Sequence, residues 1–122
     1  MLVVDDEPGF VDLVKQRLER FYRVVTASNG REGFEVAVVA KPDIVLTDIL
    51  MPEKDGYRLV RELRLHPGFE TIPILILSTV AESGSLIKAG DLGATDYLIK
   101  PIEFRELPKI VEHYLRTGPL PF

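Results

Sequence analysis

"DIVLTDILMPEKDG", residues 43 to 56, decides the fold. Ile44, Val45 and Leu46 form an apolar run with no polar alternation, as in a strand covered on both faces. Asp48 stands where that strand should end. Met51-Pro52 and Asp55-Gly56 follow, residue types that turn a chain and open a helix.

The rest of the chain repeats this alternation. Leu2-Val3-Val4 is a short strand before Asp5-Asp6-Glu7-Pro8, with Pro8 where helix starts tolerate it. Phe10, Leu13, Val14, Leu18 and Phe21 mark the apolar face of a first helix. Tyr22 to Ala27 is a β-branched strand, and Ser28-Asn29-Gly30 starts a second helix that stops before Lys41-Pro42. Tyr57, Leu59, Val60, Leu63 and Arg64 predict a third helix, ended by His66-Pro67-Gly68. Ile74 to Leu77 is a fourth strand and Glu82 to Leu92 a weaker helix closed by Gly93. Thr95 to Ile99 is a fifth strand and Phe104 to Arg116 a fifth helix. Five strand–helix units predict an α/β fold with a parallel sheet covered on both sides. Right-handed crossovers put every strand's C-terminal end on one edge, where such sheets bind ligands.

Composition narrows the function classes. The 122 residues fit one core, and 46% hydrophobic with 28% charged residues is a globular balance. A formal charge of −4 argues against a nucleic-acid surface. The absence of cysteine excludes disulfides and thiolate metal sites, and fits the cytoplasm. The apolar runs are too short to span a bilayer, and no signal peptide is visible.

The shared edge collects Asp5 and Asp6 after the first strand, Asp48 after the third, Ser78 and Thr79 after the fourth, and Lys100-Pro101 after the fifth. Singly, each acid reads as a helix cap. Together, three carboxylates on one rim repel one another, and a divalent cation removes that conflict. Mg²⁺ prefers oxygen ligands and commonly takes one or two carboxylates plus a phosphate. With the Lys100 ammonium and the Ser78 hydroxyl, the set suits phosphoryl chemistry with a carboxylate nucleophile.

Carrying "VVDDEP", "DIVLTDILMPEKDG", "IPILILST" and "GATDYLIKP" in this order, the chain resembles the receiver domain of two-component response regulators along nearly its whole length. The resemblance implies a flavodoxin-like (βα)5 doubly wound sandwich with strand order 2-1-3-4-5, spanning residues 1–116, with 117–122 a tail or linker stub. It implies that Asp48 is the phosphoacceptor for a sensor histidine kinase or phosphotransfer protein. Asp6 and Asp48 would bind Mg²⁺ directly, Asp5 through water, and the Leu50 backbone carbonyl would be a further ligand. Lys100 would pair with phosphoryl oxygens, and Ser78 and Tyr97 would form the switch. Lys100-Pro101 would be cis. The output face would combine the fourth helix, fifth strand and fifth helix, serving an output domain or target protein. Dimerisation on phosphorylation through that face is common in the family. The implied module is a switch, with self-catalysed phosphoryl transfer at most.

Other readings fare worse. A phosphatase with an aspartyl nucleophile usually carries a second Asp two residues on, where Leu50 stands. A flavin binder needs a phosphate loop after the first strand, where Asp5-Asp6-Glu7 would repel it. A receiver-like interaction module that works without phosphorylation typically loses the acceptor or the acidic pair, and this chain keeps both. His66 and His113 lie away from the rim and receive no phosphotransfer or metal role. Arg61, Glu62 and Arg64 read as a solvated helix face.

Three features depart from the family pattern. The first strand is short, and with the Gly-Pro tail this favours an excised piece. Pro108 is tolerable only in the first turn of the last helix, which therefore begins no earlier than about Phe104. Gly84 and Gly90 weaken the fourth helix by roughly 1 kcal/mol each against Ala, so this helix is expected to shift readily on phosphorylation. Amide exchange there as slow as in the first helix would contradict this. Leu50 and Val80, two residues past Asp48 and Ser78, cannot hydrogen-bond an attacking water. Slow autodephosphorylation is expected, and Leu50→Asn should shorten the phosphorylated state's lifetime.

Overall fold

In the computed structural model, residues 1–49, 56–78 and 93–117 are described. Along them run β1 (Leu2–Val4), α1 (Pro8–Leu18), β2 (Val25–Ala27), α2 (Gly30–Ala40), β3 (Val45–Asp48), α3 (Gly56–Leu65), β4 (Ile74–Ser78), β5 (Asp96–Ile99) and the C-terminal helix α4 (Leu107–Thr117). The five strands form one parallel sheet in the order β2-β1-β3-β4-β5. The expected flavodoxin-like fold and strand order hold. The Leu50 carbonyl, Met51-Pro52, Asp55, Thr79, Val80, the helix expected from Glu82 to Leu92 and residues 118–122 lie outside the described residues, as does the Ser78 side chain.

The unbroken apolar strands follow from burial on both faces. Leu2, Val4, Val45, Ile74 and Ile76 point into one core with Leu59, Val60 and Leu63 of α3 and Ala37 of α2. Val3, Leu46, Leu75 and Leu77 point into the other, against Val14 and Leu18 of α1 and Leu107 and Val111 of α4. Burying one such aliphatic side chain is worth about 1.5–3 kcal/mol, so the alternation across the pleat fixes the register. Leu2 is thereby aligned with Val25 on one side and Val45 on the other.

Local chemistry sets the element ends. Asn29 caps α2 by accepting the Glu32 amide at 2.8 Å, while the Ser28 hydroxyl donates to the Glu32 carboxylate at 2.9 Å. Glu7 occupies the cap position of α1 without a side-chain cap, and Pro8 opens the helix. The second strand is shorter than Tyr22 to Ala27, because residues 19–22 close α1: the Glu19 amide donates to Lys15 and the Tyr22 amide to Leu18. The last helix starts at Leu107, with Pro108 in its first turn, where no intrahelical donor is lost. Residues 103–107 instead make tight turns, Glu106 N–H to Glu103 and Leu107 N–H to Phe104.

The Arg64 expectation fails. Its guanidinium is drawn under the sheet edge rather than solvated. Nε donates to the Gly93 carbonyl at 2.8 Å, one terminal nitrogen to Phe69 and Ile72 carbonyls at 2.9 and 2.7 Å, and the other to Thr95 Oγ1 at 3.2 Å. Burial lowers its pKa from the ordinary guanidinium value.

On the opposite side of β5, the Tyr114 hydroxyl of α4 donates to Asp96, whose other oxygen accepts the Tyr97 amide at 2.8 Å. Burial, then the hydrogen bond and charge of Asp96, push the Tyr114 phenol up to about 12. A phenol raised in the folded state contributes stability below the ordinary value of about 10 that is lost as pH rises toward 12. Ultraviolet titration should therefore show the Tyr114 phenol ionising late, with Tyr22 also raised by burial. Asp96→Asn should bring Tyr114 back toward the others, and an unchanged titration would contradict the pairing.

Candidate functional site

The strand order reverses between β1 and β3, which is the switch point where open α/β sheets form a crevice at their carboxyl edge. Asp5 and Asp6 leave β1 there, and Asp48 ends β3. One carboxylate oxygen from each of Asp5, Asp6 and Asp48 lies within 4.8 Å of the other two. Lys100, just past β5, reaches across the edge, with its Nζ 3.1 Å from Asp5 Oδ2 and 3.8 Å from Asp48 Oδ2. The Lys100–Pro101 bond is cis.

Each group is held by its own surroundings. Asp5 is 2% exposed, and its Oδ1 accepts the Glu7 amide at 3.0 Å while Oδ2 accepts from Lys100. Neither bond is a helix cap. Burial raises the Asp5 pKa, against the lowering pull of the Glu7 amide and Lys100. Burial alone would lower Lys100. Its bond to Asp5 and the charges of Asp5, Asp48 and Glu7 outweigh that and raise it. Asp48 is 8% exposed, and its Oδ1 accepts the Ile49 amide at 2.8 Å. Its backbone carbonyl accepts the Thr47 hydroxyl at 2.9 Å. Asp6 is the exposed member of the three.

Two residues outside the expected set complete the site. The Lys100 ammonium sits 4.5 Å from the ring centroid of Phe10, a cation–π contact that narrows where the side chain can go. Phe10 is in turn packed on Phe104, with ring centroids 5.9 Å apart. Helical spacing marks Phe10 as core. Only its place in the first turn of α1, beside the carboxyl edge, hints at the lysine. Gly56 is the second. Its amide donates to the Ile49 carbonyl at 2.7 Å, and a Cβ there would overlap the backbone carbonyl of Asp48. The glycine lets α3 start against the end of β3.

Tyr97 lies on the edge strand and is 50% exposed. His66 is held between the rings of Phe34 and Phe69, at 5.7 and 5.1 Å, and takes no part in the site. Ser78 ends β4 in register with Ile99.

The donor set suits Mg²⁺. Three carboxylates against one lysine leave a net negative, all-oxygen cluster. Ligands at 2.0–2.1 Å from Mg²⁺ can be at most about 4 Å apart. The three carboxylates, all within 4.8 Å of one another, are close enough to share one such ion directly or through a water. None of the described helices is long and apolar enough to cross a membrane.

The profile of the response regulator receiver domain family matches residues 1–112. The chain is 38% identical over 119 residues to the alkaline phosphatase synthesis transcriptional regulatory protein PhoP of Bacillus subtilis, covering 97% of this chain and 49% of that protein. It is 38% identical over 107 residues to hybrid signal transduction histidine kinase D of Dictyostelium discoideum, covering 88% of this chain and 7% of that protein. The chain thus spans half or less of these curated relatives. Among solved structures, the chemotaxis response regulator CheY4 of Vibrio cholerae superposes with a TM-score of 0.85 at 31% identity, over 92% of this chain and 94% of that one.

Proposed function

We propose, for a chain that belongs to the response regulator receiver family, that it is a phosphorylation-controlled switch with Asp48 as acceptor. The observation that carries this is the crevice itself: a mostly buried Asp48 at the β1/β3 switch point, with two further acids and the Lys100 ammonium converging on it. An Asp48 carboxylate oxygen attacks the phosphorus of a phosphohistidine on a sensor histidine kinase or phosphotransfer protein. The P–N bond breaks, and its electron pair leaves with the imidazole, which takes up a proton. Lys100 neutralises charge on the phosphoryl oxygens. Asp6 and Asp48, with Asp5 through water and the Leu50 carbonyl, would hold Mg²⁺, which when bound spreads the charge of the phosphoryl group. Ser78 and Tyr97 would pass the change to an output face that includes β5 and α4, which serves an output domain or target. Phosphorylation-dependent dimerisation through that face fits the same scheme. The chain makes no direct nucleic-acid or membrane contact in this reading, acts in the cytoplasm, and performs no turnover chemistry.

Intact mass after incubation with acetyl phosphate and Mg²⁺ tests this. One added phosphoryl group is expected, abolished by Asp48→Asn and by EDTA. A folded, Mg²⁺-binding protein that never gains mass would overturn it, in favour of a receiver-like interaction module acting without phosphorylation.

A further inference from the structure

Away from the acidic crevice, α1 and α4 border a cleft of about 610 Å³ lined by Arg17, Arg20, Phe21, Tyr22, Phe104, Arg105, Lys109 and Glu112. Its chemistry is opposite to that of the chain, whose formal charge is −4. Four cations converge on it, and none of the four forms an ion pair among the described residues. The one acid, Glu112, lies 3.4 Å from Arg116. Convergent unpaired cations repel one another and set up a local field that an anion relieves. Arg17 is on α1 and Arg20 in the turn that closes it, and Arg105 and Lys109 flank the start of α4, so cations line both sides of the cleft.

The walls between the charges are aromatic. Phe21 is 65% exposed and forms a tilted pair with Tyr22, with ring centroids 6.5 Å apart. Phe104 supplies a third ring. Solvating a phenylalanine beside guanidinium groups is poor for stability but suits a flat heteroaromatic ring, which stacks on both. A bare anion would have no use for the rings, and a purely acidic segment little more. The volume lies in the range of small-molecule sites.

We infer that the cleft between α1 and α4 is a nucleotide-binding site, with phosphates on Arg17, Arg20, Arg105 and Lys109 and the base against Phe21, Tyr22 and Phe104. Glu112 is placed to accept a hydrogen bond from a ribose hydroxyl or a base amine. The site is separate from the acidic crevice and does not depend on Asp48.

Calorimetry and amide chemical-shift mapping of the whole chain test this. Both would be run in EDTA at low salt, with ATP, GTP and a cyclic dinucleotide, and with pyrophosphate and a polyglutamate peptide as comparison ligands. At least one nucleotide should saturate and bind more tightly than pyrophosphate, shifting amides of residues 17–22 and 104–109. Arg17→Ala/Arg105→Ala should weaken it at least about tenfold, the loss of charge-assisted contacts. Phe21→Ala should weaken the nucleotide but not pyrophosphate, and Asp48→Asn should change nothing. Both arginines are exposed, and an unchanged melting temperature would verify that the double variant folds. Three outcomes overturn the inference: no nucleotide saturating at millimolar concentration, pyrophosphate binding equally well, or polyglutamate binding where nucleotides do not.

Discussion

Gly56→Ala should destabilise the protein by about 3 kcal/mol, the upper end for inserting a methyl into a packed site. The reason is the neighbour. The new Cβ would meet the Asp48 carbonyl oxygen and, at 2.7 Å, the Ile49 Cα. Both are backbone atoms of the segment that holds the central strand's end, so neither can rotate away. The Gly56 N–H bond to the Ile49 carbonyl would be lost as α3 backs off. Gly33 provides the contrast. A Cβ there meets Val4 Cγ2 at 3.0 Å and Leu59 Cδ2 at 3.3 Å, side-chain atoms that can give. Gly33→Ala also gains helix propensity of about 1 kcal/mol, so its net effect should be small. Thermal melts should separate the two by roughly 10 °C for a domain of this size. Equal melting temperatures would contradict the reading of Gly56 as a close-approach residue. Phosphoryl uptake should also slow in Gly56→Ala at temperatures where it is folded, because Asp48 moves with its carbonyl.

Arg64→Ala is expected to cost about 3 kcal/mol as well, by a different route. One guanidinium satisfies the carbonyls of Phe69, Ile72 and Gly93 and the Thr95 hydroxyl, so it ties the loop after α3 to the start of β5. Hydrogen bonds from a charged donor are worth about 1.5–3 kcal/mol each, less the cost of burying the charge. Thr95 Oγ1 also accepts the Ile74 amide at 2.9 Å, so β4 and β5 are registered through the same group. Arg64→Lys should recover less than half of the loss, since an ammonium cannot reproduce the planar fork. Arg61→Ala, on the exposed face of the same helix, should stay within about 0.5 kcal/mol of the parent. Denaturant melts in which Arg64→Ala matches Arg61→Ala would remove Arg64 from the account of stability.

These two residues also show what the sequence leaves unread. Strand identity is legible because a parallel sheet covered on both faces needs uninterrupted Val, Leu and Ile, as in residues 2–4, 44–46 and 74–77. Asp5, Asp6, Asp48 and Lys100 are legible because every strand points the same way, so polar residues at strand ends must meet. Arg64 is not legible. Its helical position groups it with Arg61 and Glu62, and nothing in a 3.6-residue period says that the following loop folds back over it. Phe10 is read as core by the same periodicity, which cannot show that a lysine 90 residues later lies on its ring. The short second strand fails for a local reason. Tyr22 has a β-forming side chain, but its amide finishes α1.

In the proposed function Asp48, rather than either neighbouring acid, carries the phosphoryl group. Borohydride reduction of the phosphorylated chain converts an acyl phosphate on aspartate to homoserine, and peptide mass spectrometry then reads the position. Homoserine is expected at residue 48 alone. Homoserine at 5 or 6 would contradict it, because those carboxylates are assigned to the metal and to Lys100.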